Sequence, residues 1–169
     1  MTGLLRICNI FPSGLIPVLC FAGMLLYFYS KNGNEKILIF IAILVSLALC
    51  MPLINRGMIY DELHLATHYV LRPDFWPTLI NYEPMKDHIG YTILAYCSYN
   101  IFGKADWVFR LPALLFGVAN IAVFWYLTRK IWGAPFAFMA ALLMAFSPPN
   151  IIWSSSARGY SALIFFSFF

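Results

Sequence analysis

The chain alternates between long apolar runs and short polar turns, and one long polar segment interrupts the series. The run Ile37–Ile54 holds a single conventional polar side chain, Ser46. Further runs occupy Leu111–Leu127 and Ala134–Trp153, and a shorter one occupies Ser161–Phe169. A helix needs about 20 apolar residues to cross a bilayer. The pattern therefore predicts an all-α, polytopic transmembrane helical bundle whose last span is incomplete, as expected for the N-terminal piece of a longer protein.

The first apolar run, Ile10–Tyr29, has spanning length but contains Pro12 and Pro17. A spanning or partly inserted helix and a cleaved signal peptide are the two interpretations of such a run. No small-x-small cleavage site follows it, which favours the helix. We predict that residues 1–36 form an extra hydrophobic helix with a basic turn, and that residues 37–169 form the membrane domain.

Two short basic turns, at residues 31–36 and 128–130, predict the orientation of the bundle. Short loops rich in lysine and arginine tend to face the cytoplasm. The long segment 55–110 is then an outer loop, on the same face as the short loop Ser154–Tyr160. We expect a multi-pass protein of a bacterial inner membrane or the endoplasmic reticulum, with the plasma membrane favoured.

Composition supports a membrane protein and excludes several other classes. Hydrophobic residues make up 62% of the chain and charged residues 11%, against about 25% charged residues in an average soluble domain. The net charge of +4 is scattered without a basic run, which argues against a nucleic-acid partner. The four cysteines neither cluster nor follow a metal-binding spacing, so no disulfide framework is predicted.

The predicted outer loop holds six of the seven carboxylates and all three histidines of the chain. A chain that gathers its acid–base groups in one loop between apolar segments is expected to carry out its chemistry at a membrane surface. Within this loop we predict short juxtamembrane helices over Asp61–Leu71 and His88–Phe102, the second with Gly103 as its C-terminal cap.

Asp61 and Glu62 are the candidate catalytic residues, directly after the second apolar run. Adjacent side chains on a helix diverge, so only one of the two can face a reacting atom while the other holds structure. A carboxylate at a water–lipid boundary, beside a like charge, is expected to have a raised pKa that suits a general base. The alternative is that both acids begin a helix, where they favour the positive end of its dipole.

His64 and His68 are weak candidates for a metal site. They are one helical turn apart and, together with Asp61, could hold a divalent ion. No glutamate lies between them to complete a zinc-protease motif, and two histidines on the polar face of a helix are the more frequent case. No other cofactor is predicted.

Two further groups are candidates for binding a lipid phosphate. Lys86, Asp87 and His88 precede the second loop helix, where backbone N–H groups can assist a cation. Their alternative role is an N-terminal cap by Asp87 beside a snorkelling Lys86. Arg158, near Tyr160, lies in a loop predicted to face outward, where positively charged residues are less frequent. A charge in this position suggests a function, and a guanidinium can bind phosphate bidentately. Its alternative role is an anchor at the level of the lipid headgroups.

Several stretches in a fixed order carry a resemblance to a known group of enzymes. They are Asp-Glu after a span, Asp-His before a surface helix, then FGKADWVFRLPALLFG and YLTRKIWGAPFAFMAALLMAFSPPNIIWSSSARGYSAL. Together they resemble the membrane glycosyltransferases of the GT-C fold, in the family 39-like group of protein O-mannosyltransferases, lipid A aminoarabinose transferases and RgtA-like enzymes. The resemblance covers about Ile37–Phe169.

The resemblance implies transfer of a sugar from a polyprenyl-phosphate carrier, in contact with membrane lipid, to a protein, lipid or glycan acceptor outside the cytoplasm. It implies that Asp61 is the first-loop catalytic aspartate, with Glu62 beside it, and that His88 meets the donor phosphate. Two departures stand out. Ile89 and Gly90 replace the two prolines that usually follow the phosphate-binding residue. No aspartate occurs within Ser154–Tyr160 to supply a second carboxylate.

Two other functions remain open at this stage. One is a non-catalytic membrane protein, either a truncated relic or a scaffold subunit. The other is a transporter, which the sequence does not favour because no charge within a span and no broken-helix pair is visible. The chain by itself is not expected to transfer sugar, because its few spans cannot enclose a cavity for a lipid-linked sugar.

Overall fold

The structure, a computed structural model, describes residues 35–80 and 88–168. Every regular element within these two ranges is helical, and no strand occurs in them. The predicted all-α class is therefore confirmed. The predicted first helix, Ile10–Tyr29, and most of the basic turn after it lie outside the described residues, so the division of the chain at residue 36 stays a prediction.

The described helices form an apolar framework and a set of loop helices. The framework consists of α1 (Glu35–Ile54), α5 (Asp106–Trp132), α6 (Ala134–Phe146), α7 (Pro148–Ser154) and α8 (Tyr160–Phe166). The loop between α1 and α5 contains α2 (Tyr60–Leu65), a π-helical turn (Ala66–Val70), α3 (Phe75–Ile80) and α4 (Ile89–Phe102).

Helices α1 and α5 are each long and apolar enough to cross a membrane, and α6 with α7 is a candidate for a third span. The last two meet at an angle of 57°. Pro148 and Pro149 cause this break, because they lack the backbone N–H groups that would continue α6. The span predicted over Ala134–Trp153 stays a prediction, whereas the expectation that no broken-helix pair occurs is wrong.

Helix α5 begins five residues before and ends five residues after the predicted span Leu111–Leu127. The sequence placed Arg110 outside the span because a charge in an apolar helix is costly, but in the structure this charge is neutralised inside the protein. At the other end, the Arg129 guanidinium lies 5.2 Å from the centroid of the Trp125 ring and the helix continues past it. Gly133, with a φ of 88°, ends the helix in a conformation that glycine adopts without strain.

Helix α4 agrees with the predicted loop helix to within one residue. His88 stands at its N-terminal cap in an extended conformation, and Gly103, with a φ of 89°, stands at its C-terminal cap. The helix packs on α5, where the buried Tyr91 hydroxyl donates a hydrogen bond of 2.7 Å to the Phe109 carbonyl. This contact fixes the start of α4, and with it His88, beside the start of α5.

Three clusters of buried side chains hold these helices together. The first joins the loop helices to the start of α5 and to the segment after α7: Leu65, Ala66, Val70, Tyr91, Ala95, Phe109, Ala113 and Ala157. The second joins α1, α5 and α6: Ala42, Ile121, Ala141 and Ala145. The third joins the end of α1 to α7: Cys50, Ile54 and Ile151. The outer loop is thus part of the packed structure.

Helices α5 and α7 approach closely at Gly117. A Cβ atom at this position would overlap the side chain of Ser154, whose own Cβ would be only 2.5 Å away. Small residues at helix interfaces allow the backbones to come this near. The Ser154 hydroxyl also donates to the Asn150 carbonyl one turn earlier, which limits its freedom to move aside.

We expect Gly117→Ala to destabilise the protein by about 1–3 kcal/mol, because the added methyl group overpacks the contact between α5 and α7. Gly90→Ala is the matched control, since Gly90 is also helical and nothing lies within 4 Å of its added Cβ. That control should be neutral or slightly stabilising. The measurement is chemical unfolding of both variants in detergent, and equal unfolding midpoints would contradict the packing described here.

Candidate functional site

The candidate site forms where the outer loop meets the segment that follows α7. The backbone N–H of Ala157 donates to the Glu62 carboxylate at 2.8 Å. The Arg56 guanidinium donates to the Ser156 hydroxyl at 3.3 Å. These contacts put the loop and the Ser154–Tyr160 segment at the same end of the helices, while the side of the membrane that they face stays a prediction.

The buried part of the site is an ion pair between Glu62 and Arg110, whose side chains are 2% and 0% exposed. Arg110 Nε donates to Glu62 Oε1 at 3.1 Å, and Arg110 Nη2 donates to Glu62 Oε2 at 2.5 Å. This bidentate geometry matches the planar fork of the guanidinium to the carboxylate. It joins α2 to the start of α5, so the loop helix cannot turn freely on the bundle.

The remaining donors of Arg110 cap the C-terminal end of α1. Its Nη1 atom donates to the carbonyls of Ile54 at 2.5 Å and Arg56 at 2.6 Å, and its Nη2 atom donates to the carbonyl of Gly57 at 3.1 Å. The last carbonyls of a helix have no partner within the helix and carry partial negative charge. Arg110 therefore satisfies the end of the first framework helix as well as Glu62.

Glu62 accepts from the backbone on both sides of the site. The N–H of Ile59 donates to Oε2 at 3.0 Å, which caps the start of α2, while the N–H of Ala157 donates to Oε1. Burial raises the pKa of Glu62, but the hydrogen bonds from Arg110, Ile59 and Ala157 outweigh it and lower the pKa below its ordinary value. The raised pKa expected of a general base does not hold for Glu62, whose geometry suits a structural role.

Asp61 points the opposite way, as the divergence of adjacent helical side chains requires. Its side chain is 52% exposed and forms an ion pair with Arg158, which is 28% exposed. Arg158 Nη1 is also 3.4 Å from the Tyr160 hydroxyl. The structure therefore divides the two carboxylates: Glu62 faces the interior and Asp61 faces an accessible surface beside a cation.

His88 lies on the same surface. Its ring is 5.1 Å from the Tyr160 ring in an edge-to-face arrangement, and Tyr160 also packs against Trp153 at 4.2 Å. Gly159 makes this approach feasible, because a Cβ there would come within 2.8 Å of the His88 side chain. Four of the predicted site residues therefore converge from three parts of the chain: Asp61, His88, Arg158 and Tyr160.

Lys86 and Asp87 lie outside the described residues, so their roles in phosphate binding or capping stay predictions. His64 and His68 are described, and their rings stack with centroids 4.3 Å apart. Within residues 35–80 and 88–168, no three histidine, cysteine or carboxylate side chains form a group that could hold a metal. The two histidines are thus close together, but Asp61, the third member of this weak candidate, pairs with Arg158.

Sequence reasoning did not assign a role in the site to Arg56 or Arg110. Burial lowers the pKa of Arg56, with a raising contribution from Glu62 and a lowering one from Arg110. Arg110 lies in a helix that is otherwise apolar enough to span a membrane, and a charge in such a position is usually paired. That rule could have indicated a buried acidic partner, although not which acid.

We expect Glu62→Gln to destabilise the fold by about 3–5 kcal/mol, because it leaves the buried Arg110 charge without a counter-ion. Asp74→Asn, at an exposed turn residue, is the control and should change stability little. The free energy of unfolding in denaturant measures both, and a Glu62 variant as stable as the control would show that the ion pair does not hold the loop.

The pH dependence of stability follows from the same pair. Because the pKa of Glu62 is lower in the folded protein, its contribution is fully present above its ordinary pKa of about 4.3 and is lost as pH falls through the folded value. Acid unfolding should therefore be less steep in Glu62→Gln than in the wild type. Identical acid-unfolding profiles would contradict this assignment.

Comparison with known proteins adds one family match. Residues 89–166 match the family model described as dolichyl-phosphate-mannose-protein mannosyltransferase. The chain matches no curated protein and no solved structure. The matched segment contains Arg110, Arg158 and Tyr160, begins one residue after His88, and leaves the carboxylates of α2 outside. Over these residues the chain is similar to the GT-C type of membrane glycosyltransferase, which confirms the resemblance drawn from its sequence.

Proposed function

We propose that the protein is a glycosyltransferase that takes a hexosyl or pentosyl group from a polyprenyl-phosphate carrier and transfers it to an acceptor on the extracytoplasmic face of the membrane. The observation that carries the proposal is the pairing of an accessible carboxylate, Asp61, with an accessible guanidinium, Arg158, at one end of apolar helices. The match to the mannosyltransferase family model supports the same class of reaction.

In this proposal Asp61 is the general base. It accepts the proton of the acceptor hydroxyl as the acceptor oxygen forms a bond to the anomeric carbon of the sugar. The bond between that carbon and the phosphate oxygen breaks, and its electron pair leaves with the lipid phosphate. Attack from the face opposite the phosphate inverts the anomeric configuration. No metal ion is needed to balance this step.

Arg158 and His88 are proposed to bind the phosphate. Arg158 offers N–H donors in a plane that matches two phosphate oxygens, and a charge placed where the leaving group develops its own charge lowers the barrier. His88 and Arg158 both contact Tyr160, so both side chains lie near the same residue. Tyr160 is proposed to position the two of them.

The site lies where a polyprenyl phosphate would present its headgroup. Framework helices α1 and α5 offer apolar surfaces to a lipid chain, and their ends meet beneath the site at the Glu62–Arg110 pair. A lipid-linked donor could then keep its chain in the membrane while its phosphate reaches Arg158.

We expect Asp61→Asn to reduce sugar transfer by about 10²–10⁴-fold, because the amide keeps the shape of the side chain but cannot accept a proton. Asp106→Asn, an exposed acid in the first turn of α5, is the matched control and should retain activity. Single-turnover transfer from a radiolabelled polyprenyl-phosphate sugar by the full-length protein measures both. Transfer by Asp61→Asn at the wild-type rate would rule out Asp61 as the base.

The proposed orientation can be tested separately with single cysteines on a cysteine-free background. Asp74→Cys and Lys104→Cys, both at exposed loop positions, should react with an impermeant thiol reagent in intact cells. Lys130→Cys, at the exposed far end of α5, should react only after the membrane is opened. The reverse pattern would place the site on the cytoplasmic face.

A further inference from the structure

The two groups to which the proposed function gives separate tasks are bound to each other in the structure. Asp61 Oδ2 pairs with Arg158 Nη2, so the base and the phosphate ligand neutralise one another. Asp61 Oδ2 is directed at Arg158 and not at an acceptor hydroxyl. A guanidinium that holds a carboxylate also has fewer N–H donors for phosphate. Separation of the pair would free both groups for their proposed tasks.

We propose that the donor phosphate displaces Asp61 from Arg158, so that the base is released only when the donor is bound. This inference rests on the proposed function and adds a regulatory contact to the same site. Phosphate oxygens and carboxylate oxygens compete for the same N–H donors of one guanidinium. The outcome is an exchange of anions on Arg158, which leaves the Asp61 carboxylate free to accept the proton of the acceptor hydroxyl.

The exposure of the pair makes this exchange inexpensive. With side chains 52% and 28% exposed, Asp61 and Arg158 form the kind of ion pair that contributes little to stability, because water screens the attraction. The Glu62–Arg110 pair differs, because its side chains are buried and every oxygen of Glu62 already accepts a hydrogen bond. The site therefore combines one fixed ion pair with one exchangeable ion pair.

The backbone around the exchangeable pair stays in place during the exchange. Glu62 follows Asp61 in the chain and Ala157 precedes Arg158, and these two neighbours are hydrogen-bonded to each other. Arg158 is also held near the Tyr160 hydroxyl and over its ring. The exchange then requires only a rotation of the Asp61 side chain away from Arg158, with no movement of α2 or of the segment after α7.

An ordered reaction follows from this contact. The acceptor hydroxyl gains a free base only after the donor phosphate has reached Arg158, so the donor binds productively before the acceptor. When the sugar has been transferred, Asp61 carries the proton of the acceptor, and the lipid phosphate has lost its ester to the sugar. As a monoester of the lipid it carries a charge of about −1.5 to −2. Once Asp61 has given its proton to water, the carboxylate can return to Arg158 as the product leaves.

The test is a double-variant cycle on the affinity of the full-length protein for a short-chain polyprenyl phosphate in phosphatidylcholine nanodiscs. Asp61→Asn should bind the phosphate about two- to fivefold more tightly, because it removes the carboxylate that competes for Arg158 and an exposed ion pair is weak. Arg158→Gln should bind it more weakly. In the Arg158→Gln background, Asp61→Asn should give no further tightening, because there is no shared guanidinium to release. Asp106→Asn should leave the affinity unchanged.

Each other outcome overturns the proposal in a recognisable way. Equal tightening by Asp61→Asn in both backgrounds would show only the long-range repulsion between two anions. Unchanged or weaker binding by Asp61→Asn, together with a loss of transfer, would remove the exchange while the proposed function stands. A wild-type protein that neither binds polyprenyl phosphate nor transfers sugar from a polyprenyl-phosphate donor would remove both.

Discussion

The buried ion pair between Arg110 and Glu62 is the interaction on which the rest of the structure depends. Arg110 binds the carboxylate of α2 and the last carbonyls of α1, while Glu62 also binds the start of α2 and the N–H of Ala157. Two charges removed from water are stable only when such hydrogen bonds compensate for their lost hydration. The pair thereby ties an outer loop, two framework helices and the segment after α7 into one arrangement.

That arrangement explains why adjacent carboxylates have different chemistry. The hydrogen bonds that lower the pKa of Glu62 also fix the backbone at Asp61 and beside Arg158. Asp61 is then held at an accessible surface opposite a cation that is itself only partly buried. The buried Glu62–Arg110 pair holds the backbone in place, and the accessible Asp61–Arg158 pair lies beside it. This combination suits the site that we propose for an anionic, lipid-linked substrate.

Much of the fold could be predicted from the sequence because it depends on local patterns. Apolar length located α1 and the centre of α5, the loop helix α4 was found to within one residue, and adjacency alone separated Asp61 from Glu62. The remaining features depend on contacts between distant residues. Glu62 is 48 residues from Arg110 and 95 from Ala157. No local pattern identifies these partners, or the π-turn after α2.

The most direct test of the account is an experimental structure of the full-length protein with a polyprenyl-phosphate sugar bound. We expect the phosphate to lie against Arg158, the Asp61 side chain to have turned away from Arg158, and the Glu62–Arg110 pair to be unchanged. A donor phosphate bound elsewhere, with the Asp61–Arg158 pair still intact, would contradict it.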